Sequence, residues 1–216
     1  MNNREDVMAE PTQWEMIFQT DPHFFLEPLP QAVGFSKHLL EHGLSSALDI
    51  GCGGGRHVIH MAKHGLRAAG LDNAPTALRM TRQWLDQEKL DARLVLADMR
   101  VSLPFSSNSF DAVLSTQVIH HALLATVIGT AREIERIVRP QGMILLSIPA
   151  RKPSMTESAK HVLLEPNTYA PTDGEEKGLP HHFFTPDEFR DIFPNFDVLD
   201  LRVEDGKVII LEAIKK

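Results

Sequence analysis

The chain has 216 residues, 43% of them hydrophobic and 24% charged, with a formal net charge of -7; that is enough for one substantial core and short for two. The acidic balance argues against a nucleic-acid partner, because neutralising phosphates takes a Lys- and Arg-rich face, and no apolar run is long enough to span a bilayer. The polar start, Met1-Asn2-Asn3-Arg4-Glu5-Asp6, does not read as a signal peptide, and the single cysteine, Cys52, excludes an internal disulfide, so a cytoplasmic compartment is expected.

Residues 1–45 open the chain as a mixed stretch. Trp14, Met16, Ile17 and Phe18 make an apolar group, Phe24, Phe25 and Leu26 follow, and Pro22, Pro28 and Pro30 cut the region into short pieces. Residues 31–41 read as a helix that stops at Gly43. The stretch is expected to form an N-terminal helical cap on the domain made by residues 46–216. From Ser46 the chain alternates. Short, nearly continuous apolar runs at 47–50, 67–71, 93–97, 111–115 and 143–148 have the pattern of parallel strands buried on both faces. Helical periodicity marks 55–64, 75–89 and 123–138. Repeated β-α-β order gives an α/β fold with a parallel, doubly wound sheet and right-handed crossovers. Residues 149–180 are a long, weakly patterned insertion of the kind that serves as a lid. Thr185 then caps a short helix over 186–193. The runs 196–203 and 207–214 flank Glu204-Asp205-Gly206, a connection so short that the two strands pair antiparallel. One strand near the C-terminal edge is therefore reversed.

The first strand ends in Asp49 and opens into Gly51-Cys52-Gly53-Gly54-Gly55, after which a helix begins. Glycines there allow a tight turn and a close approach of backbone to ligand, and the helix start favours an anionic group. Nucleotide and dinucleotide proteins share such loops, so two further acids carry the discrimination. Asp72, with Asn73 beside it, closes the second strand where a carboxylate can accept from ribose hydroxyls. Asp98 with Met99 follows the third strand, where the acid can accept an amino group while Met99 lines a ring. A dehydrogenase fingerprint would place its third glycine one residue later, where this chain has Arg56.

In this ordered set the chain resembles the class I S-adenosylmethionine-dependent methyltransferases, of the type 11/25 kind. The loop 49–55 looks like their first motif, Asp72 like their ribose acid and Asp98-Met99 like their adenine-site pair. Pro104-Phe105 with Ser109-Phe110-Asp111, and Arg136-Ile137-Val138-Arg139-Pro140-Gln141-Gly142, resemble the segments leading into their fourth and fifth strands. The likeness covers roughly residues 45–216. Within the class, the Trp14 region and residues 176–184 look nearest to the tellurite-resistance and thiopurine types. The resemblance implies a Rossmann-like sheet of seven strands in the order 3-2-1-4-5-7-6, strand 7 antiparallel. It implies S-adenosyl-L-methionine as cofactor, S-adenosyl-L-homocysteine as product, and Asp49, Gly51, Cys52, Gly53, Gly55, Asp72, Asn73, Asp98, Met99, Thr116 and Gln117 as cofactor residues.

A sulfonium methyl is already a strong electrophile, so the protein chiefly aligns an acceptor and excludes water. A base helps hydroxyl and amine acceptors more than thiols. His120 and His121 follow the fourth strand, and His181 and His182 sit in a segment able to fold back over the site; His121 and His181 are the candidate catalytic residues. His57, His60 and His64 share a helix face, but nothing completes a metal set, and an exposed face is expected. Cys52 at a helix start could be a thiolate, yet a small residue packed in the loop is the simpler expectation. The chain lacks the Asn/Asp-Pro-Pro-aromatic motif of amino methylation on bases. A small-molecule acceptor is expected, in a monomer or homodimer, with protein or RNA methylation and a non-catalytic cofactor-binding regulator as the alternatives.

Overall fold

The computed structural model describes residues 11–20, 26–151 and 160–216; Met1 to Asp6, Pro22, Phe24 and Phe25 lie outside them. Two helices come first, α1 (Gln13–Thr20) and α2 (Pro30–Glu41). Strand and helix then alternate through β1 (Ser46–Ile50), α3 (Arg56–Lys63), β2 (Arg67–Asp72), α4 (Pro75–Glu88), β3 (Arg93–Leu96) and β4 (Phe110–Thr116). After these come α5 (Leu124–Ile137), β5 (Val138–Pro149), β6 (His161–Glu165), β7 (Thr168–Pro171) and β8 (His181–His182). The chain closes with α6 (Pro186–Asp191), β9 (Phe196–Glu204) and β10 (Val208–Lys215).

Seven strands form one sheet in the order β3-β2-β1-β4-β5-β10-β9. The five central strands pair in parallel, and β10 runs antiparallel to both β5 and β9. With β9 and β10 counted as sixth and seventh, this is the order expected from the sequence. The chain winds outward from β1 to β3, then returns to place β4 on the other side of β1. That reversal opens a crevice at the carboxyl ends of β1 and β4.

Side-chain alternation explains the two cores. Leu48 and Ile50 of β1, Ile144, Leu146 and Ile148 of β5, and Ile209 and Leu211 of β10 bury on the face covered by α5 and α6. Ala47, Met143, Leu145 and Ile210 face the other way, against Phe35 and Leu39 of α2 and Val58, Ile59 and Met61 of α3. A strand covered on both sides has no polar face to show, which is why these runs are nearly continuous in apolar residues. Burying one such Leu, Ile or Phe contributes about 1.5–3 kcal/mol.

The insertion after β5 is where the sequence expectation needs correcting. The stretch that looked weakly patterned carries regular structure where it is described: β6, β7 and β8 make a separate antiparallel sheet. Several hydrogen bonds tie it to the main body. The Glu165 carboxylate accepts from the Leu124 amide at 2.6 Å, an acid placed at the open amino end of α5. The segment also returns to β5, where Arg151 N–H donates to the Phe184 carbonyl at 2.9 Å.

Helix α1 is fastened in the same way. Glu15 is buried and accepts from the Thr76 amide at 2.8 Å and the Thr76 hydroxyl at 2.6 Å, in the first turn of α4. Burial alone would push its pKa up, but the Thr76 hydroxyl and amide, Gln19 and Arg79 outweigh it, and the carboxyl lies below its usual value.

Candidate functional site

The crevice holds a cavity of about 360 Å³, within the usual range for small-molecule sites. Its walls bring together Gly51, Gly53, Asp72, Asn73, Asp98, Met99, Gln117 and His121 from the sequence-derived set. Trp14 and Phe18 of α1 and Leu179 of the insertion close it from above.

Gly51 has a φ of +72°, and a Cβ there would come within 2.4 Å of Val118 Cγ1. Glycine is therefore required twice over, by conformation and by the chain after β4. At Gly53 a Cβ would reach 3.3 Å from Phe18 Cζ, so α1 lies directly over the loop. The loop's amides are largely engaged, mostly by the end of β2. Gly51 and Cys52 both donate to the Leu71 carbonyl, at 2.7 and 3.1 Å, and Gly55 donates to the Cys52 carbonyl at 3.0 Å. Close backbone approach is thus what these residues offer a ligand.

Asp72 anchors the arrangement. One carboxylate oxygen accepts from the Gly53 amide at 2.8 Å and the other from the Ala74 amide at 2.9 Å. Burial raises its pKa to about 6, against the opposing pull of those two amides, with nearby Asp49 adding to the rise. Each oxygen keeps a lone pair for a ligand hydroxyl. Asp98 stands two residues beyond the end of β3 and is gripped by Arg100, at 2.6 Å from its Nη2 and 3.0 Å from its Nε. Burial would raise its pKa, but Arg100 holds it below the usual value. Gln117 turns the chain with a φ of +59°, a sparsely populated conformation for a residue with a side chain.

Four expected residues stand outside the cavity wall. Asp49 alternates onto the α2/α3 face, where its carboxylate oxygens have no hydrogen-bond partner among the described residues and His57 Nδ1 lies 3.5 Å away. Cys52 is buried beneath the loop against Gly70, whose absent side chain leaves it room. Burial, then the charges of Asp72 and Asp49, raise its thiol pKa well above normal, the opposite of an activated nucleophile. Gly55 sets the start of α3 at φ +91°, with Thr81 where its Cβ would be, and Thr116 is buried at the end of β4. The expected exposed face of α3 also needs correction. His57 is buried and its Nε2 accepts from the Leu29 amide at 3.4 Å, because α2 and its lead-in cross that face.

Beside the first cavity lies a second of about 570 Å³, sharing Trp14, Gln117 and His121 with it. His120, His121 and His181 gather there, all buried, with ring centroids 3.9 Å apart for His120–His121 and 4.7 Å for His121–His181. Burial, then the neighbouring imidazoles, push the pKa of His120 well below its usual value. Burial and His181 take His121 down to about 4, despite Glu176 and the Val118 carbonyl acting the other way. His182 faces instead into the small sheet, against the Thr168 hydroxyl at 2.6 Å. Trp14 and Phe18 belong to the apolar group expected in the N-terminal cap, whereas Val118 and Arg100 were not singled out as wall residues, although each directly follows a named pair, Thr116-Gln117 and Asp98-Met99.

Residues 48–146 match the family described as methyltransferase domain. The chain is 29% identical over 140 residues to the uncharacterized methyltransferase YodH of Bacillus subtilis, covering 63% of this chain and 58% of that one. Among solved structures, TehB from Haemophilus influenzae aligns with a TM-score of 0.68 at 14% identity, over 94% of this chain and 67% of its own. The 1,6-didemethyltoxoflavin-N1-methyltransferase of Burkholderia thailandensis, solved with 1,6-didemethyltoxoflavin and S-adenosylhomocysteine, aligns with a TM-score of 0.63 at 17% identity. That alignment covers 98% of this chain and 81% of its own. At those identities the structures speak to fold alone. The chain spans about half the length of the curated relatives it matches. In its methyltransferase-domain match over residues 48–146, its sheet order with the reversed strand, and its glycine loop, the chain is similar to the class I S-adenosylmethionine-dependent methyltransferases.

Proposed function

We propose that this chain transfers a methyl group from S-adenosylmethionine to a small-molecule acceptor held in the second cavity. The observation that carries the reading is the buried Asp72 carboxylate, presented beside Gly51 and Gly53 on a cavity of cofactor size. The fit is chemical as well as spatial. A carboxylate with lone pairs to spare suits a pair of ribose hydroxyls, and side chains at Gly51 and Gly53 would fill the cradle. In this reading Asp72 and Asn73 hold the ribose, Asp98 and Met99 the adenine, and Gly51, Gly53 and Gln117 the methionine part. Asp49, Cys52, Gly55 and Thr116 act from behind, by shaping the loop and the end of β4. When bound, the cofactor supplies an activated methyl on a sulfonium.

The residues of this chain do the rest by placement. Trp14, Gln117 and His121 stand on both cavities, at the boundary a methyl must cross. Residues of helix α1 and of the small sheet line the second cavity beside this boundary, which narrows it toward small acceptors. His121 donates Nδ1–H to the Val118 carbonyl at 3.0 Å, leaving Nε2 to orient an acceptor; with a pKa near 4 it is poorly suited to strong base catalysis. His181 faces the same cavity. The acceptors favoured are therefore those that ionise readily or receive help in doing so. The test is S-adenosylhomocysteine formation over a panel of thiol, hydroxyl and amine metabolites, expected with a small-molecule class. Label entering only a retained protein or RNA would contradict the acceptor assignment.

A further inference from the structure

We propose that His120, His121 and His181 form a three-histidine site for a divalent transition-metal ion of the zinc type, open toward the acceptor cavity. One ring nitrogen from each lies within 4.8 Å of the others, and all three residues are buried. A small inward rotation of the rings brings them to the spacing of ligands about 2.1 Å from a common ion.

Three features separate this cluster from ordinary packing of aromatic rings. His121 and His181 both present Nδ1 to a backbone carbonyl, those of Val118 at 3.0 Å and Leu179 at 2.9 Å. That is the outer hydrogen bond that fixes the tautomer of metal-binding histidines and turns Nε2 inward. His120 Nδ1 is buried with no hydrogen-bond partner among the described residues, a costly state that a cation would relieve. Glu176 Oε2 lies 3.0 Å from His181 Nε2; an ion entering there replaces the proton of that contact and leaves a carboxylate close by to balance its charge.

Three imidazoles with a fourth position left for substrate is the arrangement of a catalytic rather than a structural zinc. The ion site stands on geometry alone, while its role rests on the methyl-transfer reading. An acceptor oxygen or sulfur takes the open position, its bond to the metal forms as the O–H or S–H bond breaks, and the proton leaves to solvent. This supplies the activation that His121 by itself does not.

The test is titration of the untagged chain with Co²⁺, read by visible d–d absorption, and with Zn²⁺ by calorimetry. S-adenosylhomocysteine affinity is measured on the same samples. The expected result is about one ion per chain, with tetrahedral Co²⁺ absorption, and affinity reduced at least about tenfold in His120→Ala and again in His181→Ala. Thermal unfolding establishes that each variant is folded, and His120→Ala is expected to keep its S-adenosylhomocysteine affinity. Absence of saturable binding by the unaltered chain overturns the proposal, as does binding that folded variants do not weaken. S-adenosylhomocysteine binding without metal binding overturns this inference and spares the methyl-transfer reading; metal binding alone does the reverse.

Discussion

Asp72 puts two requirements on one carboxyl group, and they have opposite pH signs. Its pKa in the folded chain is about 6, against an ordinary value of 3.8. Its contribution to stability is thus full below the ordinary value and lost as pH rises through about 6. Ribose hydroxyls, by contrast, are best accepted by the ionised form, so cofactor affinity should fall as pH is lowered through about 6. Calorimetry with S-adenosylhomocysteine should show binding weaker by about tenfold at about pH 5 than at about pH 7.5. Asp72→Asn should flatten that dependence; an unchanged slope would remove Asp72 from the ribose contact. Gly51 offers a second residue-scale test. Gly51→Ala drives a methyl into Val118 at a φ of +72°, which should lower stability by about 1–3 kcal/mol and weaken cofactor binding. Denaturant unfolding of the two proteins checks it, and a neutral substitution would mean that the loop tolerates a shift away from Val118.

At the scale of elements, the docking of α1 is the informative case. The helix is eight residues long, too short to hold itself in water, so its position depends on what it touches. Glu15 binding the first turn of α4 is the main polar tie. Glu15→Ala should loosen α1, leave the Thr76 amide without its acceptor at a cost of about 1–3 kcal/mol, and weaken cofactor binding through Trp14 and Phe18. Hydrogen exchange over residues 13–20 should rise in the variant; unchanged protection would mean that the apolar contacts hold the helix alone. The five parallel strands and the terminal hairpin were legible in sequence because continuous apolar runs and a three-residue turn leave few other solutions. The sheet of β6, β7 and β8 was not. Its strands have two to five residues, and most of β6 is exposed, so no apolar periodicity marks it. The burial of His57 was equally out of reach, since it depends on the approach of Leu29 from another element.

For the molecule as a whole, the fold sets its site at the point where the sheet reverses and roofs it with segments from both ends of the chain. No helix among the described residues is long and apolar enough to cross a membrane. The acids of the crevice could be named from strand ends alone, because a strand terminus fixes where its last residue goes. Asp49 shows where that stops: β1 runs one residue further, to Ile50, and side-chain alternation turns Asp49 toward the α2/α3 face instead. The roof, by contrast, joins residues more than a hundred positions apart, as Gln13 does with Glu175 and Lys177 at 2.8 Å. Separations of that length leave no trace in local pattern.

The most direct measurement is calorimetric titration of the unaltered chain and of Asp72→Ala with S-adenosylhomocysteine. The account predicts one equivalent bound per chain, with affinity at least about tenfold lower in the variant, or about 1.4 kcal/mol. No binding by the unaltered chain, or equal affinity in a folded Asp72→Ala, would contradict it.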